Sequence, residues 1–121
     1  MPILAHMLAA EHIWLSRLQG QQPRLVVWPT LTLDECQALL IENKQAWPTY
    51  LAELTENRLQ TLIDYRTSRG DPMRNTVIDI LIHTFNHGQH HAGQIARIVG
   101  RTGGKAAVTD YIAYVRDGRV G

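Results

Sequence analysis

The chain contains little of what marks secreted, membrane-spanning or nucleic-acid-binding proteins. Its one cysteine, Cys36, cannot form an intramolecular disulfide, so neither an oxidising compartment nor a thiolate metal cluster is indicated. No apolar run reaches the roughly 18 residues that a membrane-spanning helix needs. The 12 basic and 11 acidic residues nearly cancel and form no dense basic patch. We therefore expect a cytoplasmic protein with no nucleic-acid or membrane partner, in which Cys36 is a small buried residue.

The length and composition fit one globular domain over residues 1–121. A chain of 121 residues that is 45% hydrophobic and 19% charged is long enough to bury one core. It is too short for two domains of ordinary size.

Helical spacing of apolar residues predicts two helices in the first half of the chain. The first covers residues 2–18, with Pro2 suited to the first turn and Gly20 to the end. The second begins at Thr32-Leu-Asp-Glu35, a capping box, and its pattern continues to residue 54 with Pro48 as a kink or break.

The remaining segments predict extended connections and further helix. Residues 21–30 contain two prolines and form an extended connection, in which Trp28 is expected to anchor the segment on the core. Residues 58–66 are rich in β-branched and aromatic side chains and precede turn residues at 68–72, so we predict a short extended segment, with continued helix as the alternative.

A third long helix is expected to begin at Arg74 or Asn75 and to end at Gly100. Thr109 and Asp110 could then cap a short final helix. The expected fold is all-α, an incomplete helical bundle with a short hairpin. Such a bundle often completes its core by pairing with a second subunit.

Four of the six histidines lie within nine residues of the third predicted helix: His83, His87, His90 and His91. Residues four apart share a helix face, so His83 with His87, or His87 with His91, could bind one divalent ion. The apolar arc of this helix includes or borders His87 and His91, whereas His83 and His90 fall toward the polar side. The residues of the arc are Val77, Ile80, Leu81, Phe85, Ile95, Ile98 and Val99. His87 and His91 are the preferred pair.

A mononuclear site made only of histidines needs a third ligand from elsewhere in the chain. Three imidazoles around one ion leave a position open for water or substrate, as in catalytic zinc sites. The candidates are His6 and His12 on the first helix. His6 lies at the margin of the apolar arc and His12 lies away from it, so His6 is preferred on burial grounds.

Three segments of the chain resemble a known family. The segment LAHMLAAEHIWLSRL of the first helix, the later HTFNHGQHHAGQI and the Asp110-Tyr-Ile near the end are together similar to the DinB-like (DinB/YfiT) superfamily of metalloenzymes. The resemblance covers most of the chain. It implies a four-helix bundle that holds nickel, zinc or iron on three histidines, which fall here on His6, His87 and His91. Glu11 stands where the family often has Asp, and is interpreted as a carboxylate supporting the ligands or as part of a buried salt bridge.

The resemblance also implies a further helix before the one that carries His6, whereas this sequence starts at Met1 almost directly in that helix. We therefore expect a DinB-like bundle without its usual first helix, which is either completed by a second copy in a homodimer or missing because the start of the chain has been lost. Some relatives transfer low-molecular-weight thiols, which favours a metal-dependent thiol transferase over a hydrolase acting on a small-molecule substrate. The alternative is a non-catalytic helical oligomer with a structural or vestigial metal site.

Overall fold

Four helices and one antiparallel hairpin form the part of the chain that the structure describes. The structure is a computed structural model that describes residues 2–101, with side chains through residue 97. The elements in chain order are α1 (Pro2–Leu18), α2 (Leu33–Ala52), α3 (Glu56–Leu59), β1 (Leu62–Arg66), β2 (Pro72–Thr76) and α4 (Val77–Arg101). The expected helical fold with a hairpin is thus found, and the bounds of α1 match the prediction. The helix predicted after Thr109 lies outside the described residues.

Helix α1 is the centre of the fold because it packs against α2 on one side and against α4 on the other. Two clusters of buried side chains make these contacts. The first joins α1 to α2 through Ala5, Leu8, Cys36 and Leu39. The second joins α1 to the hairpin and α4 through Leu18, Ile63, Val77 and Ile80. Cys36 is buried, as its isolation in the sequence predicted. Because α1 is fixed on both sides, side chains along it have defined positions.

The capping box predicts the start of α2 correctly. The Thr32 hydroxyl accepts from the Glu35 backbone N–H at 3.1 Å, and the Glu35 carboxylate accepts from the Thr32 N–H at 2.9 Å. Two N–H groups at the helix start, which have no partner within the helix, are thereby satisfied.

Pro48 was predicted to kink or break α2, and it does not break the helix, since α2 continues through this residue to Ala52. The turns leading to Pro48 are attached to the backbone of α1. The Asn43 amide donates to the Leu8 carbonyl at 3.0 Å, and the Trp47 indole N–H donates to the Glu11 carbonyl at 3.2 Å. These tertiary bonds hold the helix in place where the proline ring removes one backbone donor.

The hairpin accounts for two differences from the predicted elements. Residues 56–59 form the short helix α3, so the extended segment starts later than expected, at Leu62. The residues predicted to start the last long helix are instead in β2, where Arg74 pairs with Asp64 and Asn75 with Ile63. Helix α4 then begins at Val77, and the Thr76 hydroxyl accepts from the Asp79 N–H at 3.2 Å. Strand pairing therefore takes precedence over the local helical pattern at these positions.

Among the helices that the structure describes, none has the length and apolar character required to cross a bilayer.

Candidate metal centre

Three histidine side chains from two helices converge between α1 and α4. His6 comes from α1, and His87 and His91 come from successive turns of α4. The three offer ring nitrogens that all lie within 4.8 Å of one another. His6 is 6% exposed and His91 is 9% exposed, whereas His87 is half-buried. These are the three residues that the helical faces and the family resemblance selected.

Hydrogen bonds orient two of the three rings. His6 Nδ1 lies 2.7 Å from the Val27 carbonyl oxygen, and His91 Nδ1 lies 2.7 Å from the Gln94 side-chain oxygen. Because both oxygens can only accept, each Nδ1 donates the hydrogen bond, and Nε2 is the nitrogen that the neutral form of each ring would offer to a metal. This is how metal-binding histidines are commonly held in proteins.

The spacing of the remaining nitrogens fits one small divalent ion. His87 Nε2 and His91 Nε2 are 3.2 Å apart. Two imidazole nitrogens bound at ~2.0–2.1 Å to one tetrahedral zinc would lie about 3.3 Å apart. The donor set is entirely nitrogen, which suits zinc, nickel or iron better than calcium or magnesium. The residues present therefore fit a transition-metal ion.

The protonation of His87 favours metal binding. Burial, together with the positive charge that His91, His6, His83 and His90 would carry, lowers the pKa of His87 from 6.5 to about 4. The imidazole is therefore neutral at neutral pH, as a metal ligand must be.

The other three histidines do not join this cluster of described residues. His83 and His90 are exposed on α4, as the helical arc predicted, and His83 meets the Trp14 ring edge-on at 5.0 Å. His12 accepts a hydrogen bond from the Arg24 N–H at 3.2 Å. His6, and not His12, is thus the histidine of α1 that lies beside His87 and His91.

Trp28 was predicted to anchor the 21–30 connection on the core, and this prediction is wrong. Its side chain is 57% exposed, and its ring stacks on His6 at a centroid distance of 3.7 Å and an interplanar angle of 6°. The 21–30 connection thus contacts His6 twice, through the Val27 carbonyl and the Trp28 ring. Nothing in the sequence pointed to these contacts, because an irregular extended segment has no periodicity that tells which side chain faces inward.

A cavity of about 500 Å³ adjoins the cluster and is lined by two of its three histidines, His6 and His87. Its lining also includes His83, Arg17, Tyr65 and Asn75. Apolar side chains also contribute to the wall, namely Ala10, Ile13, Val27 and Ile80. A ligand in this cavity could reach an ion held by the histidines.

Glu11 is half-buried on α1, and burial raises the pKa of its carboxyl from 4.5 to about 7. Glu11 is not the acceptor for Nδ1 of either His6 or His91, since these acceptors are the Val27 carbonyl and the Gln94 side chain. Glu11 takes part in neither ion pair of the described residues, which join Arg24 to Glu42 and Arg74 to Asp64. Its role as a carboxylate that supports the metal ligands stays a prediction.

The chain is mostly helical, and three imidazoles from two of its helices converge. These features place it in the class of candidate metal-binding helical proteins. Comparison with known families is more specific, since the DinB family model matches residues 2–118. The chain therefore belongs to the DinB family. It is 25% identical over 83 residues to Protein DinB of Bacillus subtilis (strain 168), a match that covers 69% of this chain and 47% of the relative. The matched region thus spans about half the length of that relative.

Proposed function

We propose that the protein binds one divalent transition-metal ion through His6, His87 and His91 and acts on a small molecule bound in the adjoining cavity. One observation carries the proposal: three imidazole nitrogens converge beside a cavity of about 500 Å³. Three protein ligands leave a coordination position for an exogenous group, which is the arrangement of catalytic rather than structural zinc sites.

The side chains around this centre have separate tasks in the proposal. Val27 and Gln94 hold the rings of His6 and His91 so that Nε2 of each is presented to the ion. His83 lies on the cavity wall, where its imidazole could hydrogen-bond to a bound molecule. When bound, the ion would supply Lewis acidity, which lowers the pKa of a coordinated thiol or water.

Of these two chemistries we favour the thiol, which would make the protein a metal-dependent thiol transferase rather than a hydrolase. The cavity wall beside His6 is formed in part by Ala10, Ile13 and Val27. Such a wall suits the aliphatic part of an organic thiol. The resemblance to thiol-transferring members of the superfamily points the same way.

Elemental analysis of untagged protein tests the metal, and cobalt substitution tests the open position. We expect about one divalent ion for each chain, and a thiolate-to-cobalt absorption band when mercaptoethanol is added to the cobalt form. Protein without a bound divalent ion would contradict the proposal. Bound cobalt with no thiolate band would instead indicate a closed, structural site and a non-catalytic role.

We also propose that the protein forms a homodimer through apolar side chains left exposed on α4. Ile82 and Phe85 are 54% and 55% exposed. They are three residues apart and so lie on one face of α4. Exposed apolar side chains on one helix face can mark an interface between subunits.

Light scattering should give the mass of a dimer at micromolar concentration, and Phe85→Asp should shift the population toward monomer. Leu33→Asp, at a residue that is 75% exposed at the start of α2, is the matched control and should leave the dimer unchanged. A wild-type protein that stays monomeric at that concentration would rule the dimer out.

A further inference from the structure

Arg17 and His6 line the same cavity but lie well apart along α1. Both residues line the cavity, and 11 positions separate them in one helix. This separation is about three helical turns, so the two side chains leave α1 on the same side, with Cα atoms about 16 Å apart. Side chains on a helix lean toward its N-terminus, which turns Arg17 back toward the histidines. A single elongated molecule could therefore contact both.

The guanidinium of Arg17 is held by aromatic rings. Its central carbon lies 4.5 Å from the Trp14 ring centroid and 5.0 Å from the Tyr65 ring centroid. Tyr65 is itself fixed, because its hydroxyl donates to the Asn75 side-chain oxygen at 2.6 Å. A cation–π contact of this kind holds a guanidinium without using its N–H groups as hydrogen-bond donors, so these groups stay available to an acceptor.

The charge of Arg17 has no protein counter-ion within the described part of the chain. The ion pairs there join Arg24 to Glu42 and Arg74 to Asp64. Arg17 is half-buried, and this burial lowers the pKa of its guanidinium. A partly desolvated, oriented cation without a counter-ion is the usual element for binding a planar anion through two parallel hydrogen bonds.

We propose that Arg17 binds a carboxylate at one end of an elongated substrate whose other end reaches the three histidines. The position of the reacting end rests on the metal centre proposed above, whereas the carboxylate site does not. Apolar side chains of Ala10, Ile13 and Ile80 lie on the same cavity wall and fit an aliphatic middle portion. Asp79 also lines the cavity, and its negative charge disfavours a doubly charged phosphate relative to a carboxylate.

Two ligand pairs test the two ends of the substrate separately. The first pair is hexanoate and hexanamide, which differ in charge and not in length, titrated into the protein as purified and followed by NMR. We expect hexanoate to bind about tenfold more tightly and to shift the Trp14 indole and Arg17 Nε–H signals. This preference should disappear in Arg17→Gln, return in part in Arg17→Lys, and persist in Arg66→Gln, which removes the same charge from the neighbouring hairpin.

The second pair is mercaptohexanoate and hexanoate, titrated into the zinc-loaded protein. The thiol should give a further gain in affinity that His87→Ala removes, while the preference for acid over amide survives in that variant. Equal binding of hexanoate and hexanamide, or an unchanged preference in Arg17→Gln, would overturn the carboxylate site whatever the metal does. A preserved acid preference with no gain from the thiol would instead count against the metal centre and leave the carboxylate site standing.

Discussion

His87→Ala is expected to weaken zinc binding by at least about a hundredfold, since loss of a supporting residue alone commonly costs 10–100-fold. His87 and His91 present Nε2 atoms 3.2 Å apart, and removal of one leaves only two of the three converging imidazoles. His87 is the most informative of the three, because its low pKa keeps its lone pair free of a proton well below neutral pH. Competition with a chromogenic chelator at fixed pH measures the affinity directly.

His90→Ala is the matched control for this experiment. His90 lies on the same helix, next to His91, but it is exposed and outside the cluster of converging nitrogens. The same histidine-to-alanine change should therefore leave zinc affinity unchanged and α4 folded. If both variants lost affinity equally, the density of histidines rather than this geometry would be responsible for zinc binding, and our ligand assignment would be wrong.

Leu18→Ala is expected to lower the free energy of unfolding by about 3 kcal/mol, within the range for buried leucine truncations. Leu18 is 1% exposed and packs with Ile63, Val77 and Ile80. It therefore joins α1, the hairpin and the start of α4 at a single point. Truncation leaves a cavity that these elements cannot easily close, because each is also fixed by its own hydrogen bonds. Urea unfolding, at one protein concentration in case the dimer forms, measures the change as a shift in midpoint.

Leu33→Ala provides the comparison, since Leu33 is 75% exposed at the first turn of α2. The same atoms are removed there without leaving a cavity, and the expected change is no more than about 0.5 kcal/mol. A similar midpoint shift for the two variants would mean that the second core cluster is not closed around Leu18.

Local signals in the sequence predicted the parts of the fold that depend on neighbours along the chain. The bounds of α1 and the capping box of α2 were predicted correctly, because spacing and end residues determine them. The predicted start of α4 was wrong, because Arg74 and Asn75 pair with strand residues from a different segment of the chain. Phe85 was placed on the inward arc and is 55% exposed. A helical wheel shows which residues share a face but not how much of that face a partner covers.

The candidate site divides in the same way. The pairing of His87 with His91 follows from four-residue spacing, and Gln94 lies three residues beyond His91 on the same helix. His6 could be selected only with the help of burial arguments and the family resemblance. The contacts of Val27 and Trp28 with His6 required the tertiary structure, as did the place of Arg17 on the cavity wall.

The contact between Trp28 and His6 links the exposed 21–30 connection to any ion bound at the centre. One edge of the His6 ring is bonded to Val27, and one face is covered by Trp28. Opening of this connection would expose a ligand of the ion, so a bound ion makes local opening less favourable by mass action. A bound ion should therefore slow both amide exchange and protease cleavage between residues 21 and 30. Measurements on this exposed connection would in this way show whether the buried centre holds an ion.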